Sequence, residues 1–193
     1  MFGRKYEFKP DRTDSGILSK LYLTKQQRKT LFKWALLAVA LVVLSLLQDV
    51  MLSRVRIFGA PLDLMACGIL LCCMLFDPDV AAVFGLTSSV LYYFSGSAPG
   101  VYSIALLTGL GVLLCIFRRS YLQRGFSATF LCTAAGLLIY EIAVFAIGLF
   151  LGNTLLSRFR VFGLCGLFTI AAIPLLYPIF LSISKIGGEL WKE

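Results

Sequence analysis

Trp34 to Leu52 reads WALLAVALVVLSLLQDVML, and neither lysine nor arginine interrupts it. A hydrocarbon core of about 30 Å takes about 20 helical residues to cross, so this run has the length of a membrane helix. Its apolar side chains are continuous rather than alternating, which separates it from the strands of a membrane barrel, the other structure that satisfies its backbone inside lipid. The rest of the chain agrees with this reading. At 193 residues with 59% hydrophobic content and no histidine, it is too apolar for a soluble domain of its length. The expected class is therefore an all-α integral membrane protein.

Five further runs follow, giving six expected spans: 34–52, 62–76, 79–94, 100–117, 126–151 and 161–183. The second and third are short, reaching about 24 Å at 1.5 Å per residue, so either their ends are ragged or they thin the bilayer or are buried by their neighbours. Asp77-Pro78-Asp79 supplies a cap acceptor, a proline at the first helical position and an acid near the positive end of the helix dipole. Pro61 and Asp63 open the second span in the same way. The first run begins late for a cleaved leader and no small-residue cleavage site follows, so it is expected to remain as an anchor. The six cysteines all fall inside apolar runs, without metal-ligand or disulfide-framework spacing, and read as small packing residues.

Lysine and arginine set the expected orientation. With the N-terminus cytoplasmic, nine lie in the first 33 residues, three at Arg118, Arg119 and Arg124, and two at Lys185 and Lys192; four remain outside. That fourteen-to-four bias places both ends, 1–33 and 184–193, in the cytosol. Residues 17–33 combine helically spaced Leu18, Leu21 and Tyr22 with Lys20, Lys25, Arg28, Lys29 and Lys33. Two readings fit: an amphipathic helix on anionic lipid, or a disordered tail that only sets orientation.

The four outside arginines belong to a sentence written twice. Asp49–Gly59 reads DVMLSRVRIFG and Asn153–Gly163 reads NTLLSRFRVFG, so Arg54 and Arg56 correspond to Arg158 and Arg160. Each copy links an outward-running span to an inward-running one. The polar-apolar alternation of Arg-Val-Arg-Ile and Arg-Phe-Arg-Val has the period of short extended segments. Either the arginines hold lipid phosphates, or the two ribbons face a partner and offer guanidinium forks to its carboxylates.

Within the spans, Glu141 in GLLIYEIAVFAIG is ionisable at membrane depth and so marks a functional position. The preferred reading is a neutral acid hydrogen-bonded to Gln48 at similar depth; pairing with a partner's basic residue or contact with a ligand are the alternatives. With no histidine, no nucleophile constellation and no metal set, catalysis is not expected. Gly148 and Gly152 form a GxxxG, Gly109 and Gly111 lighten the fourth span for close helix approach, and Pro174 and Pro178 kink the sixth.

From about Leu46 to Tyr121 the order of features resembles the MreD family of the bacterial rod-shape system. Family members show a glutamine near the end of the first span, then a glycine and a Pro-Asp-Leu opening the second. Gln48, Gly59 and Pro61-Leu62-Asp63-Leu64 stand there, with one extra leucine. Gly85, the turn from Gly96 to Gly100 and the basic pair Arg118 and Arg119 match the later part. The family's aspartate ahead of that turn is missing; Tyr92 and Tyr93 occupy the neighbourhood.

The resemblance implies a non-enzymatic, cofactor-free subunit of the bacterial cytoplasmic membrane. Its implied partners are an MreC-like bitopic protein, an MreB-like filament, and a glycosyltransferase and transpeptidase pair making peptidoglycan, with no nucleic acid. The rival resemblance is to the substrate-binding S component of an energy-coupling-factor vitamin transporter, also six spans. Such proteins carry AxxxA in the first span, whereas Ala35, Ala38 and Ala40 include no pair four apart. Glu141, Gln48, Tyr92 and Tyr93 are the material available for a vitamin pocket.

Overall fold

The computed structural model describes residues 25–52, 62–122 and 125–186. The described part is helical throughout: α1 (Lys25–Leu46) continuing as a π-helical stretch (Leu47–Leu52), α2 (Leu64–Leu75), α3 (Pro78–Phe94), α4 (Tyr102–Tyr121), α5 (Phe126–Phe150), a 3-10 turn (Leu156–Arg158) and α6 (Phe159–Lys185). Four stretches are long and apolar enough to cross a membrane: Arg28–Val50, Tyr102–Tyr121, Phe126–Phe150 and Leu156–Lys185. Their outward faces carry large bare side chains, with Leu175 74% and Leu131 65% exposed. Apolar surface on this scale needs lipid or protein to cover it.

The short second run is the centre of the bundle. Every residue of α2 from Met65 to Leu75 is buried, and α2 packs against α1, α3, α4, α5 and α6. A helix apolar on all sides has no face to give to water, so enclosure is its stable solution. For this short run, burial by neighbours is seen. The six cysteines are all buried and unpaired, and Cys67, Cys72 and Cys73 keep α2 slim enough for its neighbours to approach. The closest approach is at Gly111 of α4, where an added Cβ would lie 2.9 Å from Cys73 Sγ and 3.2 Å from its Cβ. Gly85 of α3 faces the same cysteine, with its virtual Cβ 3.3 Å from Sγ. Gly109 meets nothing, so only one of the two glycines that lighten α4 is a packing residue.

Two details differ from expectation. The GxxxG of α5 is not a helix-contact stripe: Gly152 lies beyond the helix at φ 71° and meets nothing. The Asn153 amide donates to Gly148 O at 2.9 Å and the Gly152 amide to Leu149 O at 3.1 Å, a Schellman cap that needs a left-handed residue. The second arginine ribbon is not extended either. Arg158 closes the 3-10 turn and Arg160 sits in the first turn of α6, both exposed; once the cap has reversed the chain, no neighbouring strand is there to favour extension. Arg54 and Arg56 lie outside the described residues, as do Pro61, Gly59 and the tail before Lys25. The Lys25–Lys33 stretch is continuous with α1. Pro174 and Pro178 both lie inside α6, which continues as one helix from Phe159 to Lys185.

At the end of the bundle where α2 meets α3, Asp77 takes the N-cap position and Pro78 the first turn, but the Asp77 side chain makes no cap bond. Its Oδ1 instead accepts from Arg119 Nη1 at 2.6 Å. Arg118 Nη1 donates to the Met74 carbonyl, at the C-terminal turn of α2. The basic pair therefore clamps α4 to the α2–α3 corner. The Arg119–Asp77 pair is substantially exposed, so Arg119→Gln is expected to change unfolding free energy in detergent by under about 1 kcal/mol. Arg118→Ala, which leaves a helix-end carbonyl without its charged donor, is expected to cost about 1–3 kcal/mol. Equal losses for the two variants would contradict this division.

Candidate functional site

At the opposite end of α2 the sequence places a polar residue on almost every element, and the fold brings them together. Asp63 is the N-cap: its Oδ1 accepts from the Ala66 amide at 3.0 Å. Such bonds satisfy helix amides that have no intrahelical partner. Gln48, in the π-helical stretch, does the same for a second amide, its Oε1 accepting from Met65 N at 2.7 Å, while its Nε2 donates to Asp63 Oδ1 at 3.3 Å. Tyr92 of α3, fully buried, donates its hydroxyl to Asp63 Oδ2 at 2.6 Å. The Asp63 amide donates to Thr169 Oγ1 of α6 at 3.2 Å, and Thr169 in turn donates to the Cys165 carbonyl at 2.7 Å. Both oxygens of Asp63 are thus engaged, and its side chain and backbone amide together tie four helical elements to one residue.

Glu141 of α5 is buried beside this network but does not bond Gln48, contrary to expectation. Gln48 is consumed by Met65 and Asp63, and Glu141 Oε1 accepts instead from the Cys165 thiol at 3.2 Å. The preceding residue, Tyr140, is also buried, and its hydroxyl has no hydrogen-bond partner among the described residues.

These groups line a cavity of about 250 Å³ whose polar wall is Gln48, Asp63, Tyr92, Tyr140, Glu141 and Cys165. Its rim includes Ser97 and Pro99 from the α3–α4 turn and Val161 and Phe162 from the start of α6. It therefore opens at the same end of the bundle as the Arg158 and Arg160 segment. Ser97 also donates to Asp49, which receives a longer bond from Ser45 at 3.4 Å. Lysine and arginine are absent from the described lining, and among the described residues no three acids or cysteines are grouped to hold a metal.

Of the residues singled out from sequence, Gln48, Asp63 and Glu141 converge here. Gly85 serves packing, Gly100 opens α4 by accepting from the Ser103 amide and hydroxyl, and Arg118 and Arg119 lie at the far end. Tyr92 is the tyrosine that enters the cavity; Tyr93 is exposed. Sequence reasoning missed Tyr140, Cys165 and Thr169. Cys165 and Thr169, four apart, share a helix face, and that spacing was the available signal. A second, apolar cavity of about 410 Å³ lies between α1 and α3, lined by Trp34, Leu37, Leu41 and Phe84.

Set against models of known families, curated proteins and solved structures, the chain matches none of them.

Proposed function

We propose that this chain is a non-catalytic membrane subunit of the MreD type, working in bacterial cell-wall elongation, with six spans and both termini cytoplasmic. The observation that carries the reading is the Gln48–Asp63 contact. Two of the polar residues that carry the resemblance, separate in sequence, meet at the N-terminus of the central helix. The departure from the family pattern is intelligible in the same place, since Tyr92, near the missing acid, supplies the donor that Asp63 accepts. Orientation rests on the fourteen cytosolic lysines and arginines. It puts the cavity and the four repeated arginines on the outer side.

In this role the helix faces and the outer arginines engage an MreC-like bitopic protein, and the basic tail engages anionic lipid and an MreB-like filament. The synthase pair is then biased by packing rather than by chemistry on a substrate. Isolation in mild detergent with mass spectrometry of the retained proteins tests this: a bitopic coiled-coil protein is the expected companion. Replacing Arg54, Arg56, Arg158 and Arg160 together with glutamine is expected to reduce its recovery at least severalfold; unchanged recovery removes the arginines from the interface. A reporter fused after Ile57 is expected to behave as external, and cytosolic behaviour inverts the topology.

A second reading, the substrate-binding S component of a vitamin transporter, is favoured by one observation, the polar cavity. A vitamin retained through purification, seen by native mass spectrometry, would select it.

A further inference from the structure

The two carboxyl groups of the cavity are not equivalent. Asp63 has both oxygens occupied by donors of the fold itself. Glu141 has Oε1 on the Cys165 thiol, a weak donor, while Oε2 accepts no hydrogen bond among the described residues, and Glu141 lines the cavity. Beside it the buried Tyr140 hydroxyl is also without a hydrogen bond. Acceptors in a low-dielectric wall with no lysine or arginine among its described lining residues call for a donor that carries positive charge. The space, about 250 Å³, is smaller than the pockets of roughly 300–1,000 Å³ that enclose drug-sized ligands. With no three-ligand group for a metal among the described residues, an organic cation fits the donor set better.

We propose that this cavity binds the alkylammonium or alkylguanidinium group of a ligand, with Glu141 as its counter-ion and the Tyr140 hydroxyl as a positioning acceptor. Asp63 holds the wall in place and does not contact the ligand's charge. The inference stands apart from the proposed cell-wall role. The same group can come from a free small amine or from a lysine or arginine of a partner protein.

The test uses the full chain in detergent micelles. All six cysteines are buried, so a maleimide dye that fluoresces on reaction reports thermal unfolding. Titration with n-butylguanidine is expected to raise the melting midpoint in a saturable way above a sodium chloride control, whereas neutral n-butylurea of the same shape is not. Glu141→Gln, which keeps an acceptor for Cys165, is expected to weaken n-butylguanidine binding at least tenfold, and Tyr140→Phe severalfold. Equal stabilisation by butylurea, or undiminished stabilisation of Glu141→Gln, would overturn the proposal. If neither variant folds, the butylguanidine and butylurea comparison on the unaltered protein decides it. Native mass spectrometry then separates the sources: an amine adduct on the purified protein identifies a free ligand, and its absence alongside butylguanidine binding assigns the site to a partner's side chain.

Discussion

Asp63→Ala is expected to be the most damaging single substitution at the polar end of the bundle, lowering unfolding free energy in mixed detergent micelles by about 3–7 kcal/mol. The sum has separate sources. Loss of the cap acceptor costs about 1 kcal/mol. The Tyr92 hydroxyl and the Gln48 amide are then left buried without their acceptor, at about 1–3 kcal/mol each. Asp63→Asn retains one carbonyl oxygen for the Ala66 amide but turns an NH₂ toward a donor, and is expected to cost about 1–2 kcal/mol. Tyr92→Phe removes one donor from an intact cap and should fall below Asp63→Ala. An Asp63→Ala variant within about 0.5 kcal/mol of the parent would mean that α2 does not depend on this network.

The second large effect is expected at Gly111. An alanine methyl there falls within 2.9 Å of Cys73 Sγ and 3.2 Å of its Cβ. Cysteine is too short to swing aside, so α2 and α4 must separate. Overpacking of this kind costs about 1–3 kcal/mol, and Gly111→Val, with two further methyls, should exceed Gly111→Ala. Adding Cys73→Ala to Gly111→Ala removes the sulfur but not the Cβ, so partial recovery is expected. That non-additivity is the signature of direct contact. Gly109→Ala, pointing into open space, should be neutral or slightly stabilising through helix propensity. Equal losses at the two glycines would place the α2–α4 contact elsewhere.

The helices were legible because long apolar runs with polar punctuation leave the backbone few options, and the bounds differ mainly where capping and turns intervene. The burial of α2 was only half legible. A run apolar on every side shows no preferred face, so periodicity could not say which neighbours enclose it. At the polar site, Gln48, Glu141 and Asp63 stood out individually, because each is unusual in its surroundings. Which of them bond each other was not legible, since that depends on how α1, α2 and α5 are staggered. Depth alone suggested Gln48 with Glu141; the amides at the start of α2 made the stronger claim on Gln48. Tyr140 carried no signal, being an ordinary residue of a membrane helix until the fold sets it beside a carboxyl group, and Cys165 carried only its four-residue spacing from Thr169. The arginine alternation misled at Arg158 and Arg160 because two residues of period two are too few to outweigh a helix start.

The brevity of α2 has a consequence for reach. Its 12 residues rise about 18 Å, well short of a hydrocarbon layer of about 30 Å. On the six-span reading, then, the carboxyl groups at its start sit at the bottom of a shaft sunk beneath the plane of the lipid phosphates. On that reading, anything approaching Glu141 from the outer side has first to pass below the level of the phosphates. A thicker bilayer lengthens the shaft, so membrane composition sets how deep that passage runs.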